Sequence, residues 1–169
     1  EKIRHGGSVV PCAVLLAIGV REDGKRSILG VSVSLSEAEV HWRGFIESLQ
    51  NRGMHGVRAV TSDDHKGIRA ALAARLTGVL WQRCQCHLQR NAQAYVPKKH
   101  MSSAVADAIR SIFNASDERE AEEKLSRMIE VYRKKAPALA RWAKENIPEG
   151  LAVFKLTASH RRRLRMTNS

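Results

Sequence analysis

The stretch "GVRAVTSDDHKGIRAALAARLTGVLWQRCQCHLQRN", residues 56–91, alternates between two periodicities, and that alternation decides the fold. "GVRAVTS" is a short, partly β-branched run of strand type. "DDHKGIRAALAARL" then places Ile68, Leu72 and Leu76 on one helical face, and "GVLWQRC" returns to strand. Two strands joined by a helical crossover are expected to pair in parallel, which makes this segment the heart of an α/β layer.

Upstream, "VVPCAVLLAIGV", the turn "REDGKRS" and the alternating run "ILGVSVSL" form an antiparallel hairpin pattern. Ser36 and Glu39 have capping-box spacing, and Val40, Phe45, Ile46 and Leu49 recur at helical intervals before a stop at Gly53. The expected order is therefore β, β, α, β, α, β. Beyond residue 86 only helical patterns remain. Val105, Ala108, Ile109, Ile112 and Phe113 form one stripe. Asp117 and Glu120 cap a longer helix bearing Leu125, Met128, Ile129 and Tyr132, and Pro137 opens another with Leu139, Trp142 and Ala143.

Composition narrows the function classes. The chain of 169 residues is 43% hydrophobic, enough for a buried core, and has no apolar run long enough to cross a bilayer. Its start lacks the pattern of a secretory signal, so a cytoplasmic location is expected. The three cysteines Cys12, Cys84 and Cys86 are too few for a disulfide framework in a chain of this size. The formal net charge is +12, and the excess is concentrated in two places. Residues 51–100 carry 9 Lys and Arg against 2 Asp, and residues 151–169 carry 5 basic side chains and no acidic one. A positive field of that size attracts polyanions, with nucleic acid the leading class and a merely solvated face the alternative.

Two corners could carry chemistry. Asp63 directly follows the strand ending near Thr61, and in open α/β sheets functional groups gather beyond the carboxyl ends of strands. A carboxylate fixed there suits a magnesium-type cation, which takes one or two carboxylates, waters and phosphate oxygens. The competing use of Ser62, Asp63 or Asp64 is to cap the next helix, worth about 1 kcal/mol. At the second corner, Cys84, Cys86 and His87 are zinc-ligand types. A structural zinc site needs a fourth ligand, however, and Cys12 and His100 are unpaired candidates. Buried thiols and a hydrogen-bonded His87 are the expected state. The tail "SHRRRLRMTNS" has the arginine density of a phosphate-binding segment, or of a frayed end.

Taken together, "TSDDHKGI", "WQRCQCHLQRN" and the helical tract after them resemble the catalytic region of bacterial insertion-sequence transposases of the Mutator superfamily. A Ser-Asp-x-His-x-Gly motif maps to Ser62, Asp63, His65 and Gly67. A Cys-x-x-His motif maps to Cys84 and His87, followed by Arg90 and Asn91. The resemblance implies a ribonuclease H-like mixed sheet with flanking helices: a core over 1–91, an all-helical insertion over 92–158 and a basic segment over 159–169. It also implies transposase chemistry of the DDE type, in which two aspartates and a glutamate hold two divalent cations, Mg2+ or Mn2+, for DNA cleavage and strand transfer.

In that scheme Asp63 is the catalytic and metal-binding residue. His65, Cys84 and His87 shape the site, because thiolate is too soft for magnesium. Lys66, Arg83, Arg90, Lys98, Lys99, Arg161, Arg162, Arg163 and Arg165 face DNA phosphates. The first aspartate is expected ahead of Glu1 and the glutamate beyond Ser169, while Glu1, Glu145 and Glu149 lie outside the motif. The chain is then a fragment with one of the carboxylates, no firmly held metal and negligible turnover of its own. The implied partners are transposon ends and target DNA, with no membrane and room for a homodimer of the intact enzyme. A nucleic-acid binding module without metal chemistry, or a ribonuclease H-like nuclease without strand transfer, are the alternatives.

Overall fold

The computed structural model describes residues 2–5 and 7–167, which fall into two compact units. The first comprises residues 1–59 and 64–79, the second residues 60–63 and 80–169. This division differs from the expected break after residue 91, because the second strand of the crossover and the helix after it are bonded into the helical part of the chain. Glu1, one of the glutamates outside the motif, also lies outside the described residues.

In the first unit, β1 (Lys2–His5) pairs antiparallel with β2 (Ser8–Pro11), and β3 (Ala13–Val20) pairs antiparallel with β4 (Arg26–Ser34). The run expected as one strand thus breaks at Cys12, and its first part belongs to a separate hairpin. Between β3 and β4, the Gly24 N–H donates to Arg21 O at 2.9 Å, and Gly24 adopts φ +77°, a left-handed conformation that costs glycine little. Alternation sends Leu15 inward with Ala13, Ala17 and Leu29 against Phe45, Leu49 and Trp42. The opposite face exposes the cross-strand pairs Val14 with Val33 and Leu16 with Val31.

Helix α1 (Glu39–Asn51) buries Phe45, Ile46 and Leu49, but Val40 is exposed. The expected capping box is not formed: Ala38 is the N-cap, and Ser36 Oγ accepts from Ala38 N–H at 3.3 Å in a local turn instead. The stop at Gly53 holds, with φ +96° and a Schellman arrangement in which Gly53 N–H donates to Gln50 O and Met54 N–H to Leu49 O. Helix α2 (Lys66–Arg75) packs on α1 and buries Gly67, Ile68 and Ala71. An ion pair between Arg75 and Glu47, and a 3.2 Å bond from Gln50 Nε2 to Arg75 O, join the far ends of the two helices.

The second unit contains β5 (Ala59–Ser62, from Val60 onward) paired with β6 (Leu80–Arg83), then α3 (Gln85–Ala92). Helices α4 (Ser102–Phe113), α5 (Glu118–Tyr132), α6 (Pro137–Asn146) and α7 (Ala158–Arg161) follow, with 3-10 turns between them. No strand follows β6 among the described residues. The core is a helical one: Leu88, Val105, Ile109, Ile112, Leu139 and Ile147 are fully buried, and Tyr95 stacks on Trp142 at 5.5 Å. Asp117 caps α5 by accepting from Glu120 N–H at 2.8 Å, and Pro137 sits in the first turn of α6, both as the sequence indicates. Among the described residues the strands form three two-stranded ladders, not the single mixed sheet expected.

Candidate active site

The two corners of the crossover meet in the second unit at the ends of β5 and β6. Ser62 closes β5 and is buried. Its carbonyl accepts from Cys84 N–H at 2.7 Å, which ties the end of one strand to the end of the other. Its hydroxyl accepts from Trp81 Nε1 at 2.9 Å and donates to Asp63 O at 2.8 Å. Trp81 is therefore half of a polar clamp. The next residue, Asp63, is exposed, and its carboxylate makes no hydrogen bond or ion pair among the described residues.

The helix that follows does not claim Asp63. In the first unit, His65 is the N-cap of α2, its Nδ1 accepting from Gly67 N–H at 3.2 Å, and Glu37 lies 4.0 Å from the same ring. Asp64 is bonded to Arg69 at 2.8 Å. The capping alternative for the acidic corner is thus taken by a histidine. Gly67 has a different role from a turn glycine: a Cβ there would stand 2.1 Å from Glu37 O and 3.0 Å from Glu39 N, so α2 approaches the start of α1 more closely than any side chain permits.

At the second corner the strand ends at Arg83, so Cys84 and Cys86 do not share a strand face. Cys84 is the fully buried N-cap residue of α3. Its Sγ accepts from Thr167 N–H and from Thr167 Oγ1, each at 3.4 Å. Cys86 is half-buried inside α3, two positions further on, where helical geometry turns it away. No group of three or more His, Cys, Asp or Glu side chains converges as a metal site among the described residues. The zinc alternative therefore has no ligand set here. His87 is half-buried, and its Nδ1 is enclosed with no hydrogen-bond partner, in place of the bonded ring expected.

The expected phosphate contacts divide into two kinds. Arg83 is 5% exposed and donates to Glu149 at 3.0 Å and Asn146 at 2.8 Å. That ion pair is internal, so Arg83 is withdrawn from any phosphate and Glu149 from any metal. Arg161 is also engaged: its guanidinium donates to Leu156, Phe154 and Ser116 carbonyls and lies 5.2 Å from the Phe154 ring centroid. Arg165 donates through both terminal nitrogens to Asn114 Oδ1 at 2.8 and 2.9 Å. Burial, and then the charge of Arg162, lower its pKa. By contrast Lys66, Arg90, Lys98, Lys99 and Arg162 are exposed; Arg163 is exposed too but is itself engaged.

Several residues the sequence did not point to hold this corner. Gln82 donates to Gly150 O at 2.9 Å and accepts from Val153 N–H at 2.9 Å, and Gln85 Nε2 donates to the same Gly150 O at 2.7 Å. A Cβ at Gly150 would stand 2.6 Å from Leu88 Cδ1 and 3.0 Å from the Phe113 ring, so the backbone that carries this carbonyl is seated closely on the helical core. Thr61 Oγ1 donates to Leu164 O at 2.6 Å, and Gln85 N–H to Arg165 O at 2.9 Å. The tail is thus docked, not frayed, as far as residue 167. Each of these bonds joins residues more than sixty apart in sequence, and no local pattern encodes such a pairing.

The whole chain, residues 1–169, matches the family model for Transposase, Mutator family. The transposase for insertion sequence element IS406 of Burkholderia multivorans is 49% identical over 168 residues, covering 99% of this chain and 43% of the relative. The transposase for ISRM5 of Rhizobium meliloti is 36% identical over 168 residues, covering 99% and 42%. That for IS256 in transposon Tn4001 of Staphylococcus aureus is 38% identical over 131 residues, covering 78% and 33%. The chain belongs to the Mutator family of transposases. It spans less than half the length of these curated relatives. No helix among the described residues is long and apolar enough to cross a membrane.

Proposed function

We propose that this chain forms part of the active site of a DNA transposase of the DDE type, built on a ribonuclease H-like layer, with Asp63 as its metal-binding carboxylate. The observation that carries the reading is Asp63 itself. It leaves a strand end locked by Ser62, Trp81 and Cys84, projects unpaired, and is excused from helix capping by His65. A charged side chain held by a rigid backbone and given no internal partner is suited to an external cation.

The described residues fit one ligand of a magnesium-type site and not a complete one, since a single hard carboxylate is offered and water and phosphate oxygens supply other ligands of such ions. Bound divalent ions would contribute charge stabilisation and an acidified nucleophile for in-line attack on a phosphodiester. The chain's own part is to orient that carboxylate and to hold DNA. Arg162, Arg163, Lys98, Lys99 and Arg90 present exposed cations from the second unit, and Lys66 from the first, for phosphate contacts that carry no base sequence. Cys84 and His87 support the corner from inside.

A polypeptide carrying this segment with its flanking sequence on both sides should nick and join transposon-end DNA with Mg2+ or Mn2+. Asp63→Ala should abolish both activities while DNA affinity is kept. Joining through a 3′-hydroxyl separates a transposase from a plain nuclease. Cleavage that survives Asp63→Ala refutes the assignment.

A further inference from the structure

The residues that clamp the tail to the two strand ends form one connected path to Asp63. Leu164 O receives Thr61 Oγ1, Arg165 O receives the first free N–H of α3 from Gln85, and Thr167 donates twice to Cys84 Sγ. Cys84 N–H in turn donates to Ser62 O, and Ser62 is covalently joined to Asp63. Side chains pin the strap ahead of these contacts and among them: Arg161 grips the Ser116 and Phe154 carbonyls, and Arg165 grips Asn114. A two-stranded ladder alone is marginal in water, so β5 and β6 need such support to hold a side chain in place.

We propose that residues 164–167 are a positioning strap for Asp63, with Cys84 and Thr61 as its positioning residues: the buried thiol of Cys84 receives Thr167 while its backbone fixes the strand end from which the carboxylate projects. This rests on the reading of Asp63 as the metal ligand and gives the Cys-x-x-His motif a physical task. The sulfur acts as a hydrogen-bond acceptor that is small, uncharged and tolerant of burial, not as a nucleophile or a metal ligand. Catalytic geometry is sensitive at this scale, since a displacement of about 1 Å costs on the order of 100-fold in rate.

The test has two arms. In the 169-residue chain, hydrogen exchange of the Thr167 and Gln85 amides is compared for the unaltered protein, Cys84→Ala, Cys84→Ser and Thr61→Val. The strap predicts about fivefold faster exchange at Thr167 in Cys84→Ala, recovery in Cys84→Ser because a hydroxyl also accepts, and faster exchange at Gln85 in Thr61→Val. In the longer polypeptide, Cys84→Ala and Thr61→Val should lower kcat for metal-dependent cleavage by about 10- to 100-fold with DNA affinity unchanged, and Cys84→Ser should restore it. Unchanged exchange in all variants overturns the strap whatever the activity shows. Loosened exchange with unchanged kcat shows that the strap exists but does not position Asp63. Absence of cleavage in the unaltered longer polypeptide would instead count against the catalytic reading, leaving the exchange result to decide the strap.

Discussion

Removing Glu149 should destabilise the protein more than removing its partner Arg83, and the difference follows from depth. The Arg83 side chain is 6% exposed and that of Glu149 29% exposed, with 3.0 Å between them. Glu149→Ala removes the counter-charge of a buried guanidinium, which keeps only neutral acceptors such as Asn146, at a cost of about 4 kcal/mol. Arg83→Ala strands a carboxylate that can turn toward solvent, at a cost of about 2 kcal/mol, part of it the lost bond to Asn146. At about 3 °C per kcal/mol for a chain of this length, Tm should fall by about 12 °C and about 6 °C respectively. The assay is thermal unfolding followed by circular dichroism, with DNA affinity measured on the folded variants at two salt concentrations. An internal pair leaves the salt slope unchanged in both. If Arg83 instead contacts phosphate, Arg83→Ala lowers that slope by about one unit with little loss of Tm. Glu149→Ala would then tighten DNA binding, because a competing anion is gone. That pattern would refute the internal assignment.

Gly67→Ala should cost about 3 kcal/mol or more, because the new Cβ meets the Glu37 carbonyl at 2.1 Å and backbone has to move; urea unfolding checks this, and a loss under 0.5 kcal/mol would show that α2 is not so closely seated. Glu120 is held down to about 2 from 4.5 by hydrogen bonds from Lys124 and Ser116. A lowered folded pKa stabilises above the ordinary value and is lost as pH falls toward 2, so Glu120→Gln should be less stable than the unaltered protein above pH 4.5, with the difference closing on acidification. Arg162→Ala should leave Tm unchanged and weaken DNA binding alike for all sequences, since its side chain is exposed; a sequence-dependent loss would contradict a phosphate contact.

Local signals were legible. The β3 and β4 alternation, the Gly53 stop, the Asp117 cap and Pro137 at the head of α6 each depend on residues within one or two turns of each other, and each is found. So is the order of strand and helix across residues 59–92. What failed did so where a local rule had a rival. Ser36 had its own turn to make, and Pro11-Cys12 broke a run that hydrophobicity alone read as continuous. Arg83 and Arg161 look like any surface cation in sequence, because the Glu149 and Ser116 that engage them lie 66 and 45 residues away. The motif positions were recognisable as a set, but their division of labour was not. His65 caps, Gly67 makes room and Cys84 receives Thr167, while the Asp63 carboxylate and the enclosed His87 Nδ1 have no hydrogen-bond partner among the described residues.

The central claim is that the Asp63 carboxylate binds a hard cation at the scissile phosphate, and a change of ligand softness tests it most directly. Asp63→Cys in the longer polypeptide replaces oxygen with sulfur, which binds Mn2+ better than Mg2+. The account predicts no cleavage of transposon-end DNA by this variant with Mg2+ and recovered cleavage with Mn2+, while Asp63→Ala stays inactive with either. Cleavage by Asp63→Cys with Mg2+ at the unaltered rate, or by Asp63→Ala with either ion, would contradict it.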